Sequence, residues 1–184
     1  MRTANDAARS IKRWVAQVLP EQWDVHLRRE ESMQRPSAVL VPVGPVFTEG
    51  SAYVRDMQRE FQIYLWPEGK ADDPNFGRQE AEELADTLLV ALQQGAAGGR
   101  SMRLPVYDYS GVPWDQALPS GALPYDFLLV SDVQADARQD PQDDDLFTVT
   151  FKLRVRWHDD GDRSRYQKAD GTLAHPVQWV QIEG

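Results

Sequence analysis

The chain has 184 residues, enough for one domain with a sizeable core, and its apolar content and six tryptophans suit a folded protein. It contains no cysteine, which excludes disulfides, zinc ribbons and thiol nucleophiles, and no apolar run approaches the roughly 20 residues that span a bilayer. The net charge of −9, from 29 acidic against 20 basic side chains, lacks the basic footprint of ordinary nucleic-acid binding.

Two meanings of that acidity stay open: a plain solvated surface, or a surface that sits beside DNA without adhering to it. The opening MRTANDAARS lacks the positive-then-apolar layout of a secretory signal. The expectation is therefore a cytoplasmic protein, or one assembled in a cytoplasm.

The first predicted element is a helix from about Ala4 to Leu19. Ala8, Ile11, Val15 and Val18 recur at helical spacing beside Trp14, while Arg9, Lys12, Arg13 and Gln17 are expected to face away. Thr3 or Asn5 can cap its start, and Pro20 ends it. Three extended segments follow. Asp24 to Arg29 alternates through Val25 and Leu27, and Ala38 to Val43 is a continuous apolar run in which Pro42 points to an edge or a strand end. Arg59 to Trp66 sets Phe61, Ile63 and Leu65 against Glu60, Gln62 and Tyr64. Pro67, Gly69 and Pro74 read as chain breakers.

A second helix is predicted from about Gly77 to Gln94, with Ala81, Leu84, Ala85, Leu88, Ala91 and Leu92 as its stripe. Glu80, Glu82, Glu83 and Asp86 load its N-terminal half, complementing the dipole, and Gly95 supplies the stop. The GAAGG run at 95–99 follows this helix instead of preceding one, so it reads as a flexible linker and not a phosphate cradle. A strand from Met102 to Tyr109 leads into a Pro/Gly-broken stretch, Gly111 to Pro124.

The strongest strand signal is Phe147 to His158. Phe147, Val149, Phe151, Leu153, Val155 and Trp157 alternate with Thr148, Thr150, Lys152, Arg154, Arg156 and His158. Its natural partner is Tyr125 to Ala137, folded back around Pro141. With opposed residue numbers summing to an even value near 284, Phe127, Leu129, Val133 and Ala135 join the apolar row, and Asp132 lies near Lys152. The same register puts Leu128 and Val130 on the outer, basic face, as though a neighbouring subunit covered it. Beyond Asp159 the chain is polar and irregular, with turn signals at Asp160-Gly161 and Asp170-Gly171 and a short candidate strand, Val177 to Ile182.

Chemistry-bearing motifs are sparse. His26, His158 and His175 are scattered without metal-ligand spacing. Neither Asp143, Asp144, Asp145 nor Asp159, Asp160, Asp162 has the spacing of a calcium loop, so both read as solvated turns. No G-x-S-x-G occurs. The sequence thus predicts no catalytic, cofactor or metal site. What remains is a charge contrast between the acidic hairpin tip, carrying Asp140, Asp143, Asp144 and Asp145, and a cationic strand face of Lys152, Arg154 and Arg156. That face is open to two readings: cross-strand pairing with carboxylates such as Asp132 and Asp136, or an interface receiving an acidic surface, including another copy's tip. A head-to-tail contact of the second kind closes into a ring when its rotation allows.

The order helix, three extended segments, helix, strand and long hairpin resembles the tail-terminator and tail-completion (head-tail joining) proteins of long-tailed bacteriophages. RQEAEELADTLLVALQQG is similar to that family's second helix, REFQIYLW to its central strand, and PYDFLLV with FTVTFKLRVRW to its closing strands. The likeness spans roughly residues 4 to 158, and Gly111 to Pro124 and the tail after Asp159 depart from the compact pattern as an arm or a plain loop.

The resemblance implies a structural virion protein that forms a ring, commonly a hexamer, at the head-proximal end of the tail tube. There it stops tube growth and meets the head connector, while DNA passes without specific binding. Another connector or minor tail role on the same fold is the alternative, and a small α/β enzyme using dispersed aspartates and His158 is a third. The expected fold is α+β: a mainly antiparallel sheet with two amphipathic helices on one face, a long β-hairpin and an extended C-terminal segment. Residues 1–158 are expected to form the domain, and 159–184 an extension.

Overall fold

Alternating and helical apolar periods are both strong in this sequence, and each produces its own layer. The computed structural model describes residues 4–27, 34–50, 55–68, 74–140 and 143–159. Thr3, residues 28–29, Asp160, Asp162, the Asp170-Gly171 turn, His175 and the 177–182 strand lie outside them. The elements run α1 (Ala4–Val18), β1 (Asp24–His26), β2 (Ser37–Gly50), β3 (Arg55–Trp66), α2 (Pro74–Gln94), β4 (Arg103–Val106), β5 (Asp126–Asp140) and β6 (Asp143–Asp159). The strands form one six-stranded sheet in the order β1-β2-β3-β6-β5-β4. Only β1–β2 is parallel, so the fold is α+β with a mainly antiparallel sheet.

Both helices lie on the same face of this sheet, and a single apolar cluster fills the space between. Ile11, Trp14 and Val15 come from α1, Leu84, Leu88 and Leu92 from α2, and Phe61, Ile63, Leu65, Phe151, Leu153 and Val155 from the two central strands. Each such side chain contributes about 1.5–3 kcal/mol by leaving water. The residues between them on β3, Glu60, Gln62 and Tyr64, are half-buried on the other face. Pro42 lies inside β2, opposite Phe61 and beyond the short β1, so its missing N–H falls where β2 has no second partner strand among the described residues.

Three local expectations need correction. Helix α2 begins at Pro74, three residues before Gly77. Proline breaks a helix from within but is suited to the first turn, where its absent N–H would have had no acceptor. Asn5 lies within α1 instead of before it. The 95–99 run is a tight turn, not a flexible linker: the Ala96 N–H donates to Ala91 O at 2.8 Å and the Gly99 N–H to Ala96 O at 3.1 Å. Gly95 has φ +72°, and a Cβ there would stand 2.7 Å from Arg100 Cα, so both conformation and space demand glycine.

The β5–β6 register is the largest departure. From Asp132 to Gln139 the opposed numbers sum to 286, as in Val133↔Leu153 and Ala137↔Val149, which preserves the expected parity. A bulge between Val130 and Asp132 changes the sum to 285, as in Val130↔Val155 and Leu129↔Arg156. One extra residue on β5 turns every side chain before it to the opposite face. Leu128 and Val130 are therefore buried in the core, while Leu129 is 45 % exposed on the outer face and Phe127 lies half-buried beside it. Ala135 is exposed, and only Val133 of the four expected core residues packs on the apolar cluster. The inference that a neighbouring subunit covers Leu128 and Val130 falls with that register.

Candidate assembly surfaces

The hairpin of β5 and β6 outruns the rest of the sheet. Strand β3 pairs with β6 only as far as Leu65↔Val149, and β4 pairs with β5 only at residues 126–129. Among the described residues, β6 from 143 to 148 has no second neighbour, and neither does β5 from 132 to 140. Six residues of β6 thus extend roughly 20 Å past its last pair with β3. Asp140, paired with Asp143, and then Asp144 and Asp145 stand at the far end of this ribbon.

Lys152, Arg154 and Arg156 alternate on the outer face of β6, away from the helices. Neighbouring strands supply their surroundings residue by residue. Arg154 stands opposite Asp132 on β5 and Glu60 on β3, with its guanidinium 3.9 Å from the Glu60 carboxylate. The Tyr64 hydroxyl donates to Gln62 Oε1 at 2.6 Å, and the Gln62 amide to Glu60 Oε1 at 3.2 Å, a chain that orients the carboxylate. Lys152 lies between Gln62 and Gln134, and Asp136 faces Thr150. Asp132 is thus directly opposite Arg154, two residues along from the Lys152 that the unbroken register assigned to it. Arg156 donates from Nε to Gln58 Oε1 at 3.2 Å and faces Leu129. Cross-strand pairing accounts for the middle of the stripe. Within one chain the structure does not bring the acidic tip to the stripe, because Lys152 is seven positions along the strand from Asp145, roughly 23 Å.

A polar cluster that the sequence reading missed joins α1 to the Pro/Gly-rich stretch. Asp6, Arg9, Ser10 and Arg13 recur at helical spacing, and Arg9, expected to face away, is only 5 % exposed. Its guanidinium donates to the carbonyls of Val112 (3.0 Å), Pro113 (2.9 Å) and Gln116 (2.7 Å). It also stacks 4.1 Å from the Tyr109 ring centre and 5.7 Å from that of Trp114. Arg13 lies over Tyr107 at 4.7 Å and reaches the carbonyls of Leu118 and Pro119. Ser10 Oγ accepts the Tyr107 N–H, Asp6 Oδ1 accepts the Tyr109 N–H, and the Tyr109 hydroxyl donates to Arg9 O. A segment without helix or strand has carbonyls that need donors, and two arginines supply them.

The 111–124 stretch is therefore docked on its own helix. A cleft of about 300 Å³ remains beside it, lined by Lys12, Arg13, Gln17, Trp114 and Asp115 among others. Burial pushes the Tyr109 hydroxyl above its ordinary pKa, while the nearby Arg13 and Arg9 charges oppose that rise.

His26 is half-buried on β1 and His158 stands opposite Asp56, so neither joins the other. Among the described residues no group of three or more His, Cys, Asp or Glu is placed to hold a metal ion, and no helix is long and apolar enough to cross a membrane. No family model matches the sequence, and no curated protein is significantly similar to it.

Proposed function

We propose that the protein is a structural subunit of a bacteriophage tail, assembling into a ring, most simply a hexamer, at the head-proximal end of the tail tube. It ends tube growth there and meets the head connector. The observation that carries this reading is the β5–β6 ribbon. A two-stranded ribbon alone is marginally stable in water, yet among the described residues this one continues past both neighbouring strands with no further strand beside either edge. Open edges are hazards unless partners use them. Subunits of a ring supply such partners at no cost in uncontrolled growth, because a closed rotation leaves no free end.

The resemblance of REFQIYLW, the EAEELAD helix and the closing strands to tail-terminator proteins supports the same reading. The acidity fits as well: a ring of subunits each carrying a net −9 repels a passing duplex and lets it slide. A connector or minor tail role on the same fold is the nearest alternative.

Light scattering and negative-stain imaging of the full chain, alone and mixed with tail tubes, test the assembly. The expected result is a discrete closed ring in at least one condition. A stable monomer in both contradicts the proposal.

A further inference from the structure

The bulge in β5 creates a surface that the unbroken register does not predict. It places Leu129 on the outer face, opposite Arg103 of β4 on one side and Arg156 of β6 on the other. Leu129, Arg103 and Arg156 are all exposed. Next to them the Arg100 guanidinium lies 4.6 Å from the Phe127 ring centre. Arg156 has a neutral partner, Gln58, in contrast to Arg154, which faces two carboxylates. Three arginines thus frame an exposed leucine and a half-buried phenylalanine in a chain whose net charge is −9.

We propose that this patch receives the acidic hairpin tip of a second copy of the chain. The inference rests on the reading of the protein as a self-assembling subunit and names the contact. The tip sequence joins Asp140, Asp143, Asp144 and Asp145 to Leu146 and Phe147, which matches the patch in both charge and apolar character. Arginine suits such a partner because its planar fork binds carboxylates through paired donors. The two surfaces lie toward opposite ends of β5: Asp140 is eleven positions beyond Leu129, roughly 36 Å of strand. A chain cannot satisfy its own patch, so the tip comes from a second copy; in a ring that contact runs head-to-tail, and its rotation decides closure. Within the β6 stripe, only Arg156 belongs to this surface.

Charge exchange tests the contact in the full chain, with tail tubes present if the wild type needs them. Arg100→Glu/Arg103→Glu and Asp143→Lys/Asp144→Lys should each weaken assembly about tenfold or more, with unfolding midpoints near wild type because the altered arginines are exposed. Combining all four substitutions should restore the ring, which a misfolded protein could not do. Lys152→Glu, a charge reversal outside the patch of half that size, should leave assembly unchanged. Rings that persist in both double variants, a combined variant that stays dissociated, or equal loss with Lys152→Glu would each overturn the proposed contact while leaving ring formation intact. A wild type that never assembles overturns the ring and the contact together.

Discussion

Arg9 sits where a cation is costly unless every donor is used, and three backbone carbonyls and two aromatic rings surround it. Hydrogen bonds to a charged group contribute more than neutral ones, so Arg9→Ala should cost about 3 kcal/mol in denaturant unfolding. Arg9→Lys should recover little of that, since an ammonium cannot reproduce the fork or the stacking. A loss below about 0.5 kcal/mol would mean that the loop does not depend on this residue.

Tyr109 adds a pH signature at the same place. Its folded pKa is raised above the ordinary value, so the folded state holds the phenolic proton longer than the unfolded chain does. The associated stability is complete below about pH 10 and is lost as pH climbs from there through the folded pKa. Tyr109→Phe should flatten that alkaline loss in unfolding curves measured across the range. At neutral pH it should cost about 1 kcal/mol through the lost bond to Arg9 O. An unchanged alkaline slope in the phenylalanine variant would contradict the assignment.

At the level of elements, the bulge in β5 makes a sharp forecast about two adjacent leucines. Leu128→Ala empties a core position and should cost about 3 kcal/mol. Leu129→Ala, on the outer face, should stay within about 0.5 kcal/mol in the isolated chain. An uninterrupted register predicts the reverse order, so chemical denaturation of the pair decides between them.

The same bulge shows what patterning can and cannot reveal. The row from Val149 to Trp157 and the Phe61, Ile63, Leu65 triplet were legible because strict alternation has one physical meaning for a half-buried strand. The α2 stripe was legible for the corresponding reason at helical period. FLLV, by contrast, is apolar at every position, so it marks a strand without saying which side faces the core. A single inserted residue then decides, and Ser131 fills that place, its hydroxyl donating to Arg154 O at 3.2 Å. Arg9 escaped notice for a different reason. A charged residue beside an apolar stripe signals solvent unless the loop that needs its donors is known, and that loop lies over 100 residues away. Its only trace in sequence was the helical spacing of Asp6, Arg9, Ser10 and Arg13. The acidic tip and the cationic stripe are legible in the sequence as compositional features. Their partners depend on register, which composition does not encode.

Taken whole, the molecule divides its labour between two faces. The helices and their clamped loop close one side of the sheet, and the other side carries an ordered ladder of charges with an apolar break at Leu129. The long ribbon carries negative charge away from both. If head-to-tail contacts between charged surfaces hold the ring, raising ionic strength from about 50 mM to about 500 mM should weaken assembly, because exposed pairs are screened within a few ångströms. An assembly indifferent to salt would point to a mainly apolar interface. On the proposed function, a ring on the tube end stops further addition. Tail lengths in particles made without this protein test that most directly. The expected result is overlong tails of variable length. Free tails of normal, uniform length would show that growth stops without it.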